Sequence, residues 1–458
     1  MRWQPENFTT HSLSRSLHGR VICQVIAAAM NSADAENAVR RNLSLDENNL
    51  KIAREIYNLD SYKRIFLLGV GKAALPMAQA VYTLLSHRIT AGILLTKDGY
   101  VPSEHIPFSP DIQILQAGHP VPDHRNIAAA KELTRLLQSL HKEDLVICLI
   151  SGGGSSLLIK PANGISLKDL QDTTKLLLNS GASIDEINTL RKHIDDFKGG
   201  QLANLCSPAP VICLILSDVV KDRLDMVASG PTIADPTTYQ DAWTILKRYH
   251  LIDQLPQPVR FHLEKGILGE IPETIKPGDP IFNNVQNYLV GNNTQCIHAA
   301  IQEADAIGFH TELLTTSLHG EASQVGKSLA DNAKSLLLSS SFSKPFCLVA
   351  GGETTVTIHG DGKGGRNQEL VLGAVKSIAG DHQIVLISMG TDGGDGITDA
   401  AGAIATNETY SLGLSLGLDS SEYLQRNDSY HYFEKLGDLI KTGPTLTNVN
   451  DLIFIFGF

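Results

Sequence analysis

The chain has 458 residues, of which 42% are hydrophobic and 19% charged, a composition typical of folded globular proteins and not of disordered ones. Its net charge of -11 and its lack of a Lys/Arg-rich run argue against nucleic acid as the main partner. No apolar stretch reaches the roughly eighteen residues that a membrane span needs. We therefore expect a cytoplasmic protein with no membrane partner.

The six cysteines are scattered along the chain and form no CxxC pair. Three of them lie inside apolar runs, where a free thiol behaves as a small hydrophobic side chain. We expect buried, reduced thiols without a role in metal binding or in a disulfide.

Short apolar runs recur along the chain, each followed by a Gly/Ser/Asp cluster and then by a helical pattern. Runs without alternation predict strands that are buried on both faces of a parallel sheet. The sequence thus predicts an α/β protein with mostly parallel sheets flanked by helices. The predicted strands are residues 64–69, 92–96, 145–150, 211–216, 288–290, 346–350 and 384–388.

The length favours two domains, and a proline-rich stretch at 235–280 is typical of a connecting segment. We place a Rossmann-like N-terminal domain at 1–280 and a second α/β domain at 281–458. Ligands of open parallel sheets bind at the carboxyl ends of strands, so the loops after the predicted strands are the candidate sites.

The first such loop, at 69–74, contains Gly71 and Lys72 and opens a predicted helix. Glycines and a helix N-terminus allow backbone N–H groups to approach a phosphate, and Lys72 adds a cation. The same residues match the weak dinucleotide pattern GxGxxA, with Asp98 as a candidate ribose-binding acid. Tight packing of strand against helix is an equally good explanation.

The second loop forms a nest of N–H groups and hydroxyls that suits an anion. A hydrolase elbow is disfavoured because Leu157 stands where G-x-S-x-G needs glycine. His119, in the turn upstream, has either a substrate-binding or a purely structural role. The candidate binding residues of this loop are Ser151, Gly152, Gly153, Gly154 and Ser155.

Asp218 follows the apolar run 211–216, so we expect it at a strand end with limited solvation. A carboxylate in that position can act as a general base for a hydroxyl group or bind Mg²⁺. A helix N-cap is the structural alternative.

The second domain offers Glu353 and Thr354 after one strand, and Arg366 and Asn367 at the start of a helix. A helix N-terminus disfavours a cation, so Arg366 suggests an anion held jointly by the arginine and the helix N–H groups. Asp392, in a glycine-rich cluster after 384–388, is a candidate ligand for Mg²⁺ or for substrate hydroxyls.

Glycine-rich loops at successive strand ends, with a lysine, an arginine and several aspartates, favour an enzyme that handles phosphate. In phosphoryl transfer the protein positions the reactants and neutralises charge. The expected cations are Lys72 and Arg366, and an aspartate would orient the attacking hydroxyl.

The loops at 69–74, 118–123, 151–156, 217–222, 351–355, 364–369, 391–398 and 443–451 closely resemble the glycerate 2-kinase family, whose C-terminal half is the MOFRL domain. The segment 185–203 resembles it as well, and the motifs occur in the same order from about residue 21 onward. The departures are small: Val70, Gly394 and Leu446, the last at a position where glycine is expected.

This resemblance implies an enzyme that uses ATP and Mg²⁺ to convert D-glycerate into 2-phosphoglycerate, with the active site in the cleft between its domains. It places the family's important lysine at Lys72, its arginine at Arg366 and an acidic residue at Asp218. Asp218 and Asp392 are the candidate metal ligands. The resemblance does not decide whether the protein is a homodimer.

Two alternatives stay open from the sequence. One is an NAD(P)H-dependent hydroxypyruvate reductase, a name that members of this family have carried and that the GxGxxA match supports. The other is a regulator that binds a nucleotide or a sugar acid without turnover.

Overall fold

The structure is a computed structural model that describes residues 2–101, 108–380 and 382–458. These residues form two compact units. The parallel-sheet unit comprises the described residues of Ala38–Val219 and Arg223–Val290. The mixed-sheet unit comprises those of Met1–Asn37, Val220–Asp222 and Gly291–Phe458. The boundary that we place near residue 280, between the two predicted domains, stays a prediction.

The strands of the parallel-sheet unit form a three-stranded and a six-stranded sheet. They are β1 (Leu43–Asp46), β2 (Asn49–Ile52), β3 (Glu55–Asn58), β4 (Arg64–Val70), β5 (Ile89–Lys97), β6 (Ile112–Ala117), β7 (Asp144–Ile150), β8 (Val211–Leu216) and β9 (Val285–Gly291). The strands of the mixed-sheet unit form one six-stranded sheet. They are β10 (His310–Leu318), β11 (Phe346–Gly352), β12 (Ile384–Gly390), β13 (Gly402–Thr406), β14 (Leu439–Ile440) and β15 (Asp451–Gly457).

The helices lie between these strands or precede them. They are α1 (His11–Arg15), α2 (Gly19–Ala33), α3 (Ala35–Asn42), α4 (Ala74–Leu85), α5 (His124–Leu137), α6 (Gly154–Leu157), α7 (Leu167–Asn179), α8 (Ile184–His193), α9 (Gln201–Cys206), α10 (Tyr239–Arg248), α11 (Gln257–Ile267), α12 (Asn293–Ala306), α13 (Ala322–Leu338), α14 (Arg366–Ile378), α15 (Thr409–Ser415), α16 (Ser420–Gln425) and α17 (Ser429–Leu436).

The six-stranded sheet of the parallel-sheet unit has the order β6-β5-β4-β7-β8-β9. Its five neighbouring strands β6, β5, β4, β7 and β8 are all parallel to one another. Every residue of β7 and β8 is buried, as expected for central strands with helices on both faces. The predicted α/β class and the predicted parallel sheet are therefore confirmed.

The sheet of the mixed-sheet unit corrects the prediction that both sheets are mostly parallel. Its order is β10-β11-β15-β12-β13-β14, and only the pair β10 and β11 is parallel. Two of the four antiparallel pairs involve β15, which lies between β11 and β12, and the other two join β13 to β12 and to β14. An apolar run identifies a strand buried on both faces, but it does not reveal the direction of that strand.

The predicted connecting segment 235–280 contains α10 and α11. Their apolar side chains pack with those of α7 and α8 in a core of their own, which includes Leu177, Leu190, Leu246 and Leu263. The role of segment 235–280 as a link between domains stays a prediction.

Among the described residues, no helix combines the length and the apolar character that a membrane crossing requires.

Candidate active site

The first candidate loops follow β4 and β7, which are parallel neighbours. The carboxyl ends of these strands lie side by side, and the loops after them contact each other. The N–H of Lys72 donates to the carbonyl of Gly152 at 2.9 Å, and the N–H of Ala73 donates to Ser151 Oγ at 3.0 Å. The structure thus brings together two loops that were predicted separately from the sequence.

Gly71 has a φ of +121°, and a Cβ at this position would lie 2.2 Å from Ser151 Oγ. Only glycine fits there, because any side chain would collide with the neighbouring loop. Ser151 is fully buried, and its hydroxyl also contacts the carbonyl of Val70 at 3.4 Å. In this structure Gly71 and the Ser151 side chain pack one loop against the other.

Gly153 lies close to two candidate side chains, His119 and Lys72. A Cβ on Gly153 would lie 3.0 Å from His119 Nε2 and 3.4 Å from Lys72 Cγ. Its φ of +84° is one that glycine adopts without strain. His119 and the partly buried Lys72 therefore both lie close to the glycine loop, while Gly154 begins α6.

Ser155 is the first member of a chain of hydrogen bonds. Its Oγ lies 2.9 Å from Ser229 Oγ, and the Ser229 hydroxyl donates to Asn188 Oδ1 on α8 at 3.0 Å. A hydroxyl carries one proton, so Ser155 must donate to Ser229. The proton of Ser155 is engaged in this chain, which agrees with the expectation that Ser155 is not a nucleophile.

Asp218 lies at the same edge of the sheet. It follows β8, the parallel neighbour of β7, and is partly buried. Ser217 is buried and accepts the N–H of Val219 at 3.2 Å, which shapes the turn. The loops that carry Lys72, Gly153 and Asp218 therefore follow three adjacent strands.

In the mixed-sheet unit, Asp451 lies between two candidate loops. Because β15 is antiparallel to its neighbours, its first residue pairs with the last residue of β11, Gly352, and the last residue of β12, Gly390. Arg366 begins α14 and contacts Asp451 with two nitrogens, Nε at 2.5 Å and Nη2 at 3.0 Å. Its Nη1 pairs with Glu353, which follows β11.

These ion pairs explain a cation at a helix N-terminus. Burial lowers the pKa of Arg366, but the attraction of Asp451 and Glu353 outweighs burial and raises that pKa above its ordinary value. The Asp451 side chain is only 3% exposed, and Arg366 is the cation that pairs with this buried carboxylate.

The N–H groups at the start of α14 also have a protein acceptor. Asn367 and Gln368 donate their backbone N–H groups to the buried Asp395 at 3.1 and 2.9 Å. Burial raises the pKa of this carboxyl to about 6. Carboxylates of the chain itself thus pair with Arg366 and accept these N–H groups, and an anion held jointly by the arginine and the helix N–H groups stays a prediction.

The remaining predicted residues are in different environments. Asn367 is buried, and its Oδ1 accepts the Ser388 hydroxyl at 2.6 Å, so this side chain joins α14 to β12. Thr354 is buried as well, directly after β11. Asp392 is partly buried and accepts the N–H of Gly394 at 3.1 Å.

The carboxylates of Asp392 and Asp451 lie near each other. A Cβ placed on Gly390 would be 3.4 Å from Asp392 Oδ1 and 3.5 Å from Asp451 Oδ1. Carboxylate oxygens are the ligands that Mg²⁺ prefers, usually one or two from the protein with water and phosphate completing the shell. Within the described part of the chain no group of three His, Cys, Asp or Glu side chains could hold a metal. The donor set fits Mg²⁺ bound together with a phosphate group and not in a site made by protein ligands alone.

Sequence reasoning missed the roles of Asp395 and Asp451, although both lie in clusters that it singled out. The signal for Asp451 was its position directly before the last apolar run. The signal for Asp395 was a second carboxylate near Asp392 in the same glycine-rich cluster.

Two family models match the chain. One, described as a domain of unknown function (DUF4147), matches residues 21–264, and the MOFRL family model matches residues 346–451. Together they include all the predicted site residues named above.

The chain is similar to two glycerate 2-kinases along most of its length. It is 40% identical to glycerate 2-kinase of Pyrococcus horikoshii, over 94% of this chain and 95% of that one. It is 43% identical to D-glycerate 2-kinase of Thermotoga maritima, over 86% and 90% of the two chains. A crystal structure of glycerate kinase from Thermotoga maritima superposes with a TM-score of 0.82 at 38% identity, over 96% of this chain and 99% of that one. The chain therefore belongs to the glycerate 2-kinase family.

Proposed function

We propose that this protein transfers the γ-phosphoryl group of ATP to the 2-hydroxyl of D-glycerate and releases 2-phosphoglycerate and ADP. The observation that carries the proposal is the likeness to a glycerate 2-kinase over 94% of the chain. In the reaction the O–H bond of the 2-hydroxyl breaks, a new O–P bond forms, and the bond between the γ-phosphorus and the ADP oxygen breaks.

Lys72 and Arg366 are the proposed cations that offset the charge of the transferring phosphoryl group. Lys72 lies beside the glycine loop, since a Cβ on Gly153 would lie 3.4 Å from Lys72 Cγ. Arg366 has five N–H donors, and its ion pairs with other described residues use three of them. The other two suit a phosphoryl oxygen, and the bonds to Asp451 and Glu353 fix the plane of the guanidinium.

Asp218 is the proposed acceptor of the hydroxyl proton. It lies at the edge of the sheet where the loops of Lys72 and Gly153 also lie, and its partial burial limits its hydration. A carboxylate within hydrogen-bond reach of the 2-hydroxyl would orient it and take its proton as the O–P bond forms.

Asp218 and Asp392 are the proposed ligands of Mg²⁺. The ion would supply charge neutralisation at the phosphate oxygens of ATP. The two carboxylates would hold and orient the ion through their oxygen atoms, which are the hard ligands that Mg²⁺ prefers.

The test is phosphorus NMR of the purified protein with ATP, Mg²⁺ and D-glycerate. We expect the resonances of ADP and of 2-phosphoglycerate to grow together, and we expect EDTA to stop both. The resonance of 3-phosphoglycerate would contradict the position of transfer, and no consumption of ATP would contradict the kinase activity.

Hydroxypyruvate reduction is disfavoured by two contacts. A dinucleotide pyrophosphate needs free N–H groups at the start of α4, but those of Lys72 and Ala73 donate to the loop after β7. The candidate ribose acid, Asp98, is held by Arg125 at 2.7 and 2.8 Å. Incubation with hydroxypyruvate and NADH or NADPH should leave the nicotinamide absorbance unchanged.

A further inference from the structure

Helix α8 carries a cation that the proposed chemistry does not use. The helix begins after Ser183, which forms a capping box with Glu186. Arg191, in its last turn, belongs to the segment 185–203 that the sequence analysis singled out. Within the described part of the chain its guanidinium makes no hydrogen bond and no ion pair, although it is partly buried.

The charges around Arg191 do not balance. Lys198 is buried, pairs with the buried Asp195 at 3.3 Å and donates to the carbonyl of Leu158 at 2.6 Å. Arg191 acts on this pair at longer range, so two cations share one carboxylate. Burial lowers the pKa of both Arg191 and Lys198, which is the expected sign of an incompletely compensated positive charge.

The neighbouring lysine of α8, Lys192, has carboxylate partners of its own. Lys192 is buried and contacts Asp235 at 3.3 Å and Asp225 at 3.6 Å. Its charge is compensated, so Arg191 is the cation of this turn that lacks a carboxylate within ion-pair distance among the described residues.

Arg191 lies on the face of α8 that hydrogen bonds connect to the glycine loop. Asn188, three residues earlier and so on the same face, accepts the hydrogen bond from Ser229 that continues to Ser155. Lys198, in the same charge cluster, holds Leu158 at the end of α6. Two sets of contacts therefore connect the surroundings of Arg191 to the segment 154–158.

We propose that Arg191 binds the carboxylate of the hydroxy-acid substrate. This assignment rests on the proposed function, since it names the group that recognises the acid end of glycerate. A guanidinium presents two parallel N–H donors that match a carboxylate, and a substrate carboxylate would compensate the excess charge of the cluster. Arg191 thereby distinguishes a hydroxy acid from an uncharged polyol.

Steady-state kinetics of Arg191→Gln test this role. We expect the KM for D-glycerate to rise about tenfold or more, which corresponds to about 1.4 kcal/mol, while the KM for ATP stays within about twofold. The preference for glycerate over glycerol, measured as the ratio of kcat/KM values, should fall by a similar factor. Arg191→Lys keeps the charge but not the two parallel donors, so its KM should be intermediate.

The matched control is Arg260→Gln. Arg260 lies on α11 of the same unit and pairs with Asp253 and Glu264 on the surface, so its kinetics and melting temperature should equal those of the wild type. An unchanged KM for glycerate in Arg191→Gln would overturn the assignment. Equal changes in both KM values together with a lower melting temperature would also overturn it, because they indicate a structural role.

Chemical modification of the wild-type protein tests the same contact without a variant. Phenylglyoxal reacts with accessible guanidinium groups, and mass spectrometry of peptides locates the modified arginines. We expect D-glycerate, but not glycerol, to protect Arg191, and equal modification with both would overturn the proposal. Protection without turnover would retain the carboxylate site and reject the kinase activity, so failure of the inference and failure of the proposed function are distinguishable.

Discussion

Lys72 is the residue whose removal tests the proposed chemistry most directly. Lys72→Ala should lower kcat about 10³-fold, the scale for a cation that stabilises a transferring phosphoryl group. The fold should be retained, because the backbone N–H of Lys72, not its side chain, joins the loop to Gly152. Stopped assays of ADP release measure kcat, and Lys168→Ala, at an exposed pair with Asp172, serves as control. Turnover near that of the wild type would remove Lys72 from the mechanism.

Arg366→Ala should lower both activity and stability. We expect a fall in kcat of about 10³-fold. The free energy of unfolding should drop by about 3 kcal/mol, because the buried carboxylate of Asp451 loses its partner. Urea denaturation measures the second effect. The double variant with Asp451→Asn should regain much of the stability without regaining turnover, and recovery of both would show that Arg366 acts on folding alone.

The placement of a candidate site residue was predictable from the sequence where the residue directly follows a strand. Lys72, Asp218 and Asp392 each follow an apolar run, and the structure places each at the end of a buried strand. The partner of Arg366 was not predictable, because Asp451 is 85 residues away in sequence. Such pairing depends on which strands become neighbours, and local patterns carry no information about that.

The same limit applies to whole elements. The predicted strand 211–216 coincides with β8, since a run with no polar residue fits only a strand buried on both faces. The direction of β15 was missed, because the loop before it and not its own residues determines how it enters the sheet. The predicted helix after Lys72 corresponds to α4.

The loop before β15 contains a residue in a strained conformation. Leu446 has a φ of +60°, the left-handed region, and lies between Thr445 and Thr447, whose hydroxyls donate to the carbonyls of Thr391 and Ala33. Leu446→Gly should relieve about 1–2 kcal/mol of strain and lose about 0.5–1 kcal/mol to the flexibility of the unfolded chain. Thermal unfolding should therefore show a gain of up to about 1.5 kcal/mol.

The control for this prediction is Leu416→Gly. Leu416 has an ordinary φ of -93° at the end of α15, so glycine there brings only the entropic loss. A lower melting temperature for both variants would mean that the loop does not store strain at Leu446.

Glu273 joins α8 to α10 and makes stability depend on pH. Burial raises the pKa of Glu273, but hydrogen bonds from His193, the N–H of Tyr239 and Lys276 outweigh it and lower the pKa to about 2. A depressed folded-state pKa stabilises the protein above the ordinary value of 4.5, and this contribution disappears as the pH falls toward 2.

Glu273→Gln should accordingly lower the free energy of unfolding by about 1 kcal/mol at pH 7, a value reduced for the partial exposure of the carboxylate. The difference between variant and wild type should shrink steadily in urea titrations below pH 4.5. A difference that is constant with pH would show that the ionised carboxylate does not stabilise the fold.

At the scale of the whole molecule, all six cysteines are free and buried. Burial raises the pKa of Cys206 to about 12 and raises that of Cys347 as well, so few thiolates exist at neutral pH. A chromogenic thiol reagent should find almost no reactive thiol in the native protein and all six after denaturation. Rapid reaction of any thiol in the native state would show an opening that exposes a buried strand or helix face.

The sequence positions of α2 and β15 determine the order in which a nascent chain can fold. Helix α2 packs against α12 in the mixed-sheet unit, yet residues 38–290, nearly all of them in the parallel-sheet unit, are synthesised between these two helices. The centre of its sheet is completed only when β15 has left the ribosome, because β11 and β12 do not pair with each other. The parallel-sheet unit can fold during translation, whereas the apolar face of α2 has to wait for its partners and is the part of the nascent protein that chaperones have most reason to cover.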